Sequence, residues 1–363
     1  MGAVTTVWHC FDEAFFMLWQ TLWALVLGFA LSGVVQATVS RQAMARTLGD
    51  HRPVAVVRAS LWGAASSSCS YAATSIARSL FDKGADFTTS IVFMVASTNL
   101  VVELGLVMWR LLGWQFAVAE LVGGSIMIAL IAAILPTVAD QAAVGATGPK
   151  PEADDPGRPA DRLRAAARYT LADLMMLRRE MVIGFVVAGF LAVGVPTRAW
   201  TSVFVTGHGV WTTIENAVVG PLVAMVSFVC SIGNVPLAAA LWQRGVGFAG
   251  VMAFVFADLI ALPMVLIYRK LYGAALTVRL VATLWFAMTT AGLLTQPLMR
   301  AAGGVPTRRP RLIAAEHFSW DATTALNLAA LVVLAGIVLL RRGRNDSADT
   351  IEHCAHHEMK AAS

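Results

Sequence analysis

Apolar residues run through this chain in blocks of about twenty, parted by short polar or basic connectors. They neither alternate nor recur at every third or fourth position, as a half-buried strand or helix would require. The blocks fall near 13–39, 53–80, 87–108, 114–135, 181–195, 215–243, 247–268, 276–295 and 323–340. Several exceed the ~18 apolar residues that carry a helix across a bilayer. Lipid leaves no partner for open backbone groups, and the blocks lack the dyad pattern of a barrel strand, so the spans are predicted to be helices. Three stretches break the rhythm: 136–178, with the Pro-, Gly- and charge-rich GATGPKPEADDPGRPADR, then 296–322, and the tail 341–363.

The blocks repeat. GAASSSCSYAATSIARSLFDKG (63–84) and AMVSFVCSIGNVPLAAALWQRG (224–245) both carry Cys-Ser seven positions in, then an apolar run, then a basic residue before Gly. Cys69 and Cys230 lie 161 positions apart, as do Gly84 and Gly245. DFTTSIVFMVAS (86–97) lines up with GFAGVMAFVFAD (247–258) without a gap, and upstream LVLGFALSG (25–33) matches MVIGFVVAG (181–189) at an offset of 156. Such a period is a statement about the whole fold. It predicts repeat 1 at 13–135, a polar cytoplasmic linker at 136–178, repeat 2 at 179–295, a loop at 296–322, an extra transmembrane helix at 323–340 and a soluble tail at 341–363.

Composition agrees: 58% of residues are hydrophobic and 13% charged, and the mean hydropathy is +0.69. A net charge of +5 then reads as loop Lys and Arg on the cytoplasmic side, not as a nucleic-acid footprint. Charge also orients the copies. If each Cys-Ser segment is re-entrant and the N-terminus is outside, most of the 27 basic residues fall inside. If both segments cross fully, the basic residues divide almost evenly. The positive-inside rule thus predicts an all-α polytopic membrane protein of two inverted repeats, each with a broken or re-entrant Cys-Ser helix, plus one extra C-terminal span.

The breaks carry the candidate chemistry. Ser66-Ser67-Ser68 interrupts the first segment, and Gly233 with Pro236 interrupts the second; Gly and Pro there end a regular helix. Half-helix N-termini offer unpaired N–H groups and a positive dipole end to a polar or anionic ligand. Cys69, Ser70, Cys230 and Ser231 sit at those ends, with Asn99 and Asn234 nearby. Two thiols facing each other would select a thiophilic metal or metalloid; otherwise they are small residues filling close helix crossings. The four cysteines are too scattered for a disulfide framework.

CSIGNVPLAAALWQRGVGFAGVMAFVFADLIALP and ASTNLVVELGLVMWRLLGWQFAVAELVGG resemble the predicted permease family that includes the ArsP-type organoarsenical exporters. The resemblance spans roughly residues 15–295. It implies a multi-span permease of the cell membrane that exports trivalent organoarsenicals, in exchange for protons, and so an arsenic-resistance role. Many relatives carry Cys-Ser-Cys-Gly in the first motif, where this chain has Cys69-Ser70-Tyr71-Ala72.

Acids inside spans mark ion paths or helix-joining hydrogen bonds. Asp258, Glu103 and Glu120 are the proton-coupling candidates. Arg78, Arg110 and Arg244, near segment ends, are expected to snorkel. The tail's His353, Cys354, His356 and His357 have metal-ligand composition without the spacing of a formed zinc site. No P-loop motif occurs, so coupling to ATP within this chain is not expected, and no cofactor is implied. The expected partners are a small-molecule or metalloid substrate and the lipid bilayer. Two alternatives remain open: a transporter of a small sulfur compound or oxyanion, and, in another class, an intramembrane enzyme or sensor. The enzyme would need a base beside its Ser or Cys nucleophile, and no intramembrane His supplies one.

Overall fold

A computed structural model of the chain describes residues 3–38, 46–66, 68–138, 159–194, 203–204, 209–227, 231–243, 245–305 and 322–342. Among them the structure is helical, without strands. Helix α1 is Ala3–Thr38, α2 is Pro53–Ser66, α3 is Ser70–Asp82, α4 is Phe87–Asn99, α5 is Val102–Leu111 and α6 is Trp114–Val138. Then come α7 (Pro159–Gly194), α8 (Val210–Ser227), α9 (Ser231–Gln243), α10 (Phe248–Val255), a 3₁₀ turn (Phe256–Ile260), α11 (Leu262–Tyr272) and α12 (Ala274–Ala301). Helix α13, Ala322–Arg342, is the last. Five stretches are long and apolar enough to span a bilayer, or up to six if the pair α10–3₁₀ and α11 counts as one span. The extra span expected at 323–340 is among them.

The order of elements recurs: a long helix, two shorter helices, a tight glycine turn, a broken span and a long helix. The first Cys-Ser pair lies between α2 and α3, whereas Cys230 is outside the described residues; Gly233 and Pro236, expected to interrupt the second segment, instead lie within the first two turns of helix Ser231–Gln243. The turns show the cause most plainly. Gly84 has φ +99° and Gly245 φ +103°, a left-handed backbone that a side chain would strain. Each lets the next amide reach back, Ala85 N–H to Leu80 O at 3.0 Å and Val246 N–H to Leu241 O at 3.2 Å. The chain thus reverses directly out of α3 and out of α9.

Helices α4 and α10 follow those turns and are buried on every side, as helices apolar around their whole circumference should be. Asp86 caps α4 by accepting from Thr88 N–H at 2.8 Å. Gly247, at the matching place, has no side chain to offer, and Gln296 of α12 reaches over to accept from Ala249 N–H at 3.0 Å.

Two expected spans are not straight. The stretch 87–108 breaks at Leu100–Val101. No Gly or Pro stands there; instead Asn99 Nδ2 donates to Thr98 Oγ1 at 2.8 Å and Thr98 Oγ1 to Val95 O at 3.1 Å. Side-chain bonds of this kind compete with the helical ladder. The stretch 247–268 bends by 41° through the 3₁₀ turn, where Pro263 at the start of α11 cannot donate a backbone N–H. Helix α7 is one continuous helix: the polar end of the linker, from Pro159, runs on as helix into the span at 181–195.

Helices α1 and α7 pack along their lengths, and α13 leans on both. Gly33 meets the backbone of Ala166 and Thr170, and Gly28 meets Ala72 of α3, each too close for a Cβ. Asn327 of α13 accepts from Trp23 N–H at 3.0 Å and donates to Trp19 O. Its amide therefore stands inside the i→i−4 ladder of α1 and anchors the extra helix.

Candidate functional site

The site grows from the amino end of α3. Cys69 is its N-cap, with extended backbone (φ −66°, ψ 158°), and is half-buried. Ser68 N–H donates to Ser97 O of α4 at 3.1 Å, which fixes where the break sits. One residue on, Ser70 Oγ donates to Asp258 Oδ2 at 2.9 Å. Both residues are buried. They lie 188 positions apart, so this bond joins the broken helix of the first copy to the bent span of the second.

The turn holding Asp258 is braced by its own neighbours. Leu259 O, at the end of the turn where extended Ala261 stops the helical ladder, is satisfied by Tyr268 OH, which donates to it at 2.9 Å. The Tyr268 hydroxyl also lies 3.6 Å from Met94 Sδ. Thr74 Oγ1, one turn along α3 from Ser70, is 2.8 Å from Ser70 O and 3.3 Å from the same sulfur. A carboxylate, three hydroxyls and a thioether thus meet where α3, α4 and the 3₁₀ turn converge.

Glu120 of α6 is buried, and neither carboxylate oxygen has a hydrogen-bond partner among the described residues. It stands within electrostatic range of Asp258. One turn on, Gly123 lies against the Phe256 ring and Gly124 against Leu100, so this face of α6 meets both breaks. Asn234 of α9 is likewise buried, with both amide atoms unpartnered among the described residues. Buried polar groups without protein partners are uncommon and mark places for a proton, water or ligand.

Of the sequence-predicted residues, the structure thus brings Ser70 and Asp258 together and sets Cys69 beside them. Asn99 caps the end of α4 through Val95 O and Thr98 Oγ1, and Glu120 and Asn234 face the same interior. Cys230 and the tail residues His353, Cys354, His356 and His357 lie outside the described residues, as do the side chains of Glu103 and Ser231. Tyr268, Thr74 and Met94 were not singled out, because at helical spacing they read as core.

Arg78 departs from expectation. It does not snorkel; its side chain is 9% exposed. It donates to Asp82 at 3.1 Å and to Leu271 O at 3.0 Å, and its guanidinium lies over the rings of Phe81 and Tyr272 at 5.8 and 5.5 Å. The carbonyl end of α11 carries partial negative charge that a cation neutralises, so burial there is compensated. Helix α3 is tied to the second copy at both ends, by Ser70 and by Arg78. At the α9 turn, Trp242, Phe248 and Phe116 pack ring on ring with centroids 4.8–6.2 Å apart. At the α3 turn, Phe81, Phe87 and Tyr272 do the same at 5.4–5.8 Å. Among the described residues no group of three or more His, Cys, Asp or Glu converges as a metal site.

The comparisons with known proteins point the same way. A family described as predicted permease matches residues 9–297. The chain is 43% identical over 323 residues to the provisionally named permease Rv2963 of Mycobacterium tuberculosis, covering 83% of this chain and 80% of that protein. No solved structure matches. With its spanning helices, the chain is a multi-pass protein of the cell membrane and a member of the predicted permease family.

Proposed function

We propose that this permease is a proton-coupled secondary exporter of trivalent organoarsenicals or a similar thiophilic species, with its substrate held at the two Cys-Ser breaks. The observation that carries this reading is the Ser70–Asp258 hydrogen bond between the two halves of the chain. A carboxylate that accepts from the residue next to Cys69 links charge to the position of a soft ligand. With Asp258 ionised, the bond is charge-assisted and draws the end of α3 toward the 3₁₀ turn. Protonation replaces it with a weaker neutral bond, and α3, with Cys69, is freer to shift. Proton binding and thiol position then belong to one equilibrium, which is what exchange requires.

In this reading the two copies are inverted. Helix α3 runs from midplane to the cytoplasmic side beside α11, and α9 runs to the outside beside α5. The pairing of Arg78 with Leu271 O, and of Trp242 with Phe116 across the α5–α6 turn, supports that crossed arrangement. Cys230 would reach the same midplane cavity, where two thiols hold a trivalent centre that one leaves under-coordinated. Transport of a small sulfur compound or oxyanion at the helix N-termini, as uptake or exchange, is the second reading, favoured by Tyr71 where many relatives have a second cysteine.

Proteoliposomes loaded with methylarsenite and given a pH gradient test both. Wild type accumulates or expels the arsenical uphill. Asp258→Asn is expected to lose uphill flux while keeping part of its exchange. Cys69→Ser, Cys230→Ser and the double variant are expected to be equally impaired, a non-additive pattern. Normal flux in the double cysteine variant would leave only the helix-end site, and normal gradient-driven flux in Asp258→Asn would remove Asp258 as the proton carrier.

A further inference from the structure

A second polar junction lies farther along α3, where α1 and α7 cross it. Ser32 Oγ of α1 donates to Asp173 Oδ2 of α7 at 2.8 Å, and Ser75 Oγ of α3 donates to the same oxygen at 2.6 Å. Ser32 Oγ is also 3.2 Å from Ser75 Oγ and 3.0 Å from Ser79 Oγ. Ser79 Oγ in turn donates to Ser75 O at 2.9 Å. The three serines are buried and Asp173 is half-buried. We infer that Asp173, Ser32, Ser75 and Ser79 form a binding site for a small hard monovalent cation, a proton or a sodium ion.

Three features carry this. The ligand set is oxygen only, with one formal negative charge, which suits a hard cation of single charge and offers nothing to a soft metal. The oxygens come from three separate helices, so an ion held among them would tie α1, α3 and α7 at one point. Third, joining alone does not need a carboxylate. Glycine contacts already bring α1 onto α3 at Gly28 and onto α7 at Gly33, which is how small residues pack helices in a bilayer. A charge added beside such a contact costs desolvation unless something is gained from it.

Placement gives the site its role. Ser70 meets Asp258 and Ser75 meets Asp173, only about 7.5 Å apart along one half-helix. Helix α3 therefore touches an acid at its midplane end and a second acid one to two turns on. The other ionisable groups nearest along the elements around Asp173 are Tyr71, Arg78 and Asp82 on α3, Arg168, Tyr169, Arg178, Arg179 and Glu180 on α7, and Tyr268, Arg269, Lys270 and Tyr272 on α11; α1 contributes none along this stretch. That Asp173 carries the ion coupled to export rests on the functional reading above. That it binds a cation does not.

Purified full-length protein tests the binding without substrate. Melting is followed while sodium chloride replaces choline chloride at constant ionic strength, and infrared difference spectra are taken between acidic and alkaline solution. For a sodium site, sodium raises the melting temperature. Asp173→Asn abolishes the effect, Ser75→Ala moves its midpoint about tenfold, and Asp258→Asn leaves it intact. For a proton site, sodium has no effect, and acidification gives a carboxyl C=O band that Asp173→Asn removes and Ser75→Ala shifts in frequency. Ser32→Ala, which keeps the carboxylate, serves as the second variant should Asp173→Asn fold poorly. Melting indifferent to sodium, with no titrating band assignable to Asp173, would overturn the inference. Neither readout involves transport, so failure here is separable from failure of the exporter reading.

Discussion

Replacing Tyr268 with Phe removes one oxygen and almost no volume from a residue that is fully buried. What is lost is the 2.9 Å bond to Leu259 O. Leu259 O is left buried without this donor, which costs about 1–3 kcal/mol, or roughly 5- to 150-fold in the unfolding equilibrium. The contact of the same hydroxyl with Met94 Sδ at 3.6 Å is too long to add much. Because the ring is kept, the lost donor alone sets the cost. Reversible unfolding by SDS in mixed micelles, run on wild type and Tyr268→Phe, measures the difference. A loss under about 0.5 kcal/mol would refute the idea that Tyr268 supplies the donor this carbonyl depends on. Because Asp258 is the residue before Leu259, on the proposed coupling the same variant should also lower proton-driven flux more than Thr324→Val, a buried hydroxyl deletion on α13, which packs on α1 and α7.

Two further outcomes are expected. Arg78→Met should destabilise the protein by several kcal/mol, since Asp82, Leu271 O and two aromatic rings lose a buried cation. Arg78→Lys should recover little, because an ammonium cannot serve a carboxylate and a carbonyl while lying flat on rings; full rescue by Lys in the same SDS titration would contradict this. For topology, Trp114 and Ala274 begin α6 and α12 at equivalent places in the two copies. Inverted copies require Trp114→Cys to react with an impermeant maleimide from outside intact cells and Ala274→Cys to resist it, with the parent chain as control. Reaction of both from the same side would mean parallel copies.

Legibility from sequence followed the strength of local chemistry. Gly84 and Gly245 stood out because only glycine adopts that backbone easily, and both end a half-helix in the structure. Pro263 was visible too, yet the bend it causes was hidden inside a run apolar enough to read as one straight span. The break at Leu100 had no such mark; it comes from Thr98 and Asn99 bonding locally, which many intact helices tolerate. Ser70 and Asp258 were each identifiable as polar groups in apolar surroundings. Their pairing was not, since a contact between copies leaves no periodicity. Asp173 escaped notice because it lies among the arginines of a stretch whose polarity suggests a helix still outside the membrane. Arg78 was misjudged because a cation near a segment end usually reaches water, and nothing local says that the end of α11 awaits it.

The internal match between the copies sharpens what their differences mean. At the offset that relates Cys69 to Cys230, the residues Thr74, Ser75, Arg78 and Ser79 of α3 correspond to Val235, Pro236, Ala239 and Ala240 of α9. Asp258 corresponds to Ser97. Helix α3 thus carries hydroxyls and a buried cation where α9 is aliphatic. Of the acids it engages, Asp258 comes from the bent span of the second copy and Asp173 from α7, the helix that leads into that copy. If two copies shared the work equally, each half-helix would meet an acid of the other. On the proposed coupling, the bonds from α3 to these acids are the ones a change of protonation would weaken, whereas the described ring packing of α9, Trp242 against Phe116 and Phe248, is indifferent to protonation. That asymmetry would make α3 the element that responds to an ion, and α9 the wall against which it moves.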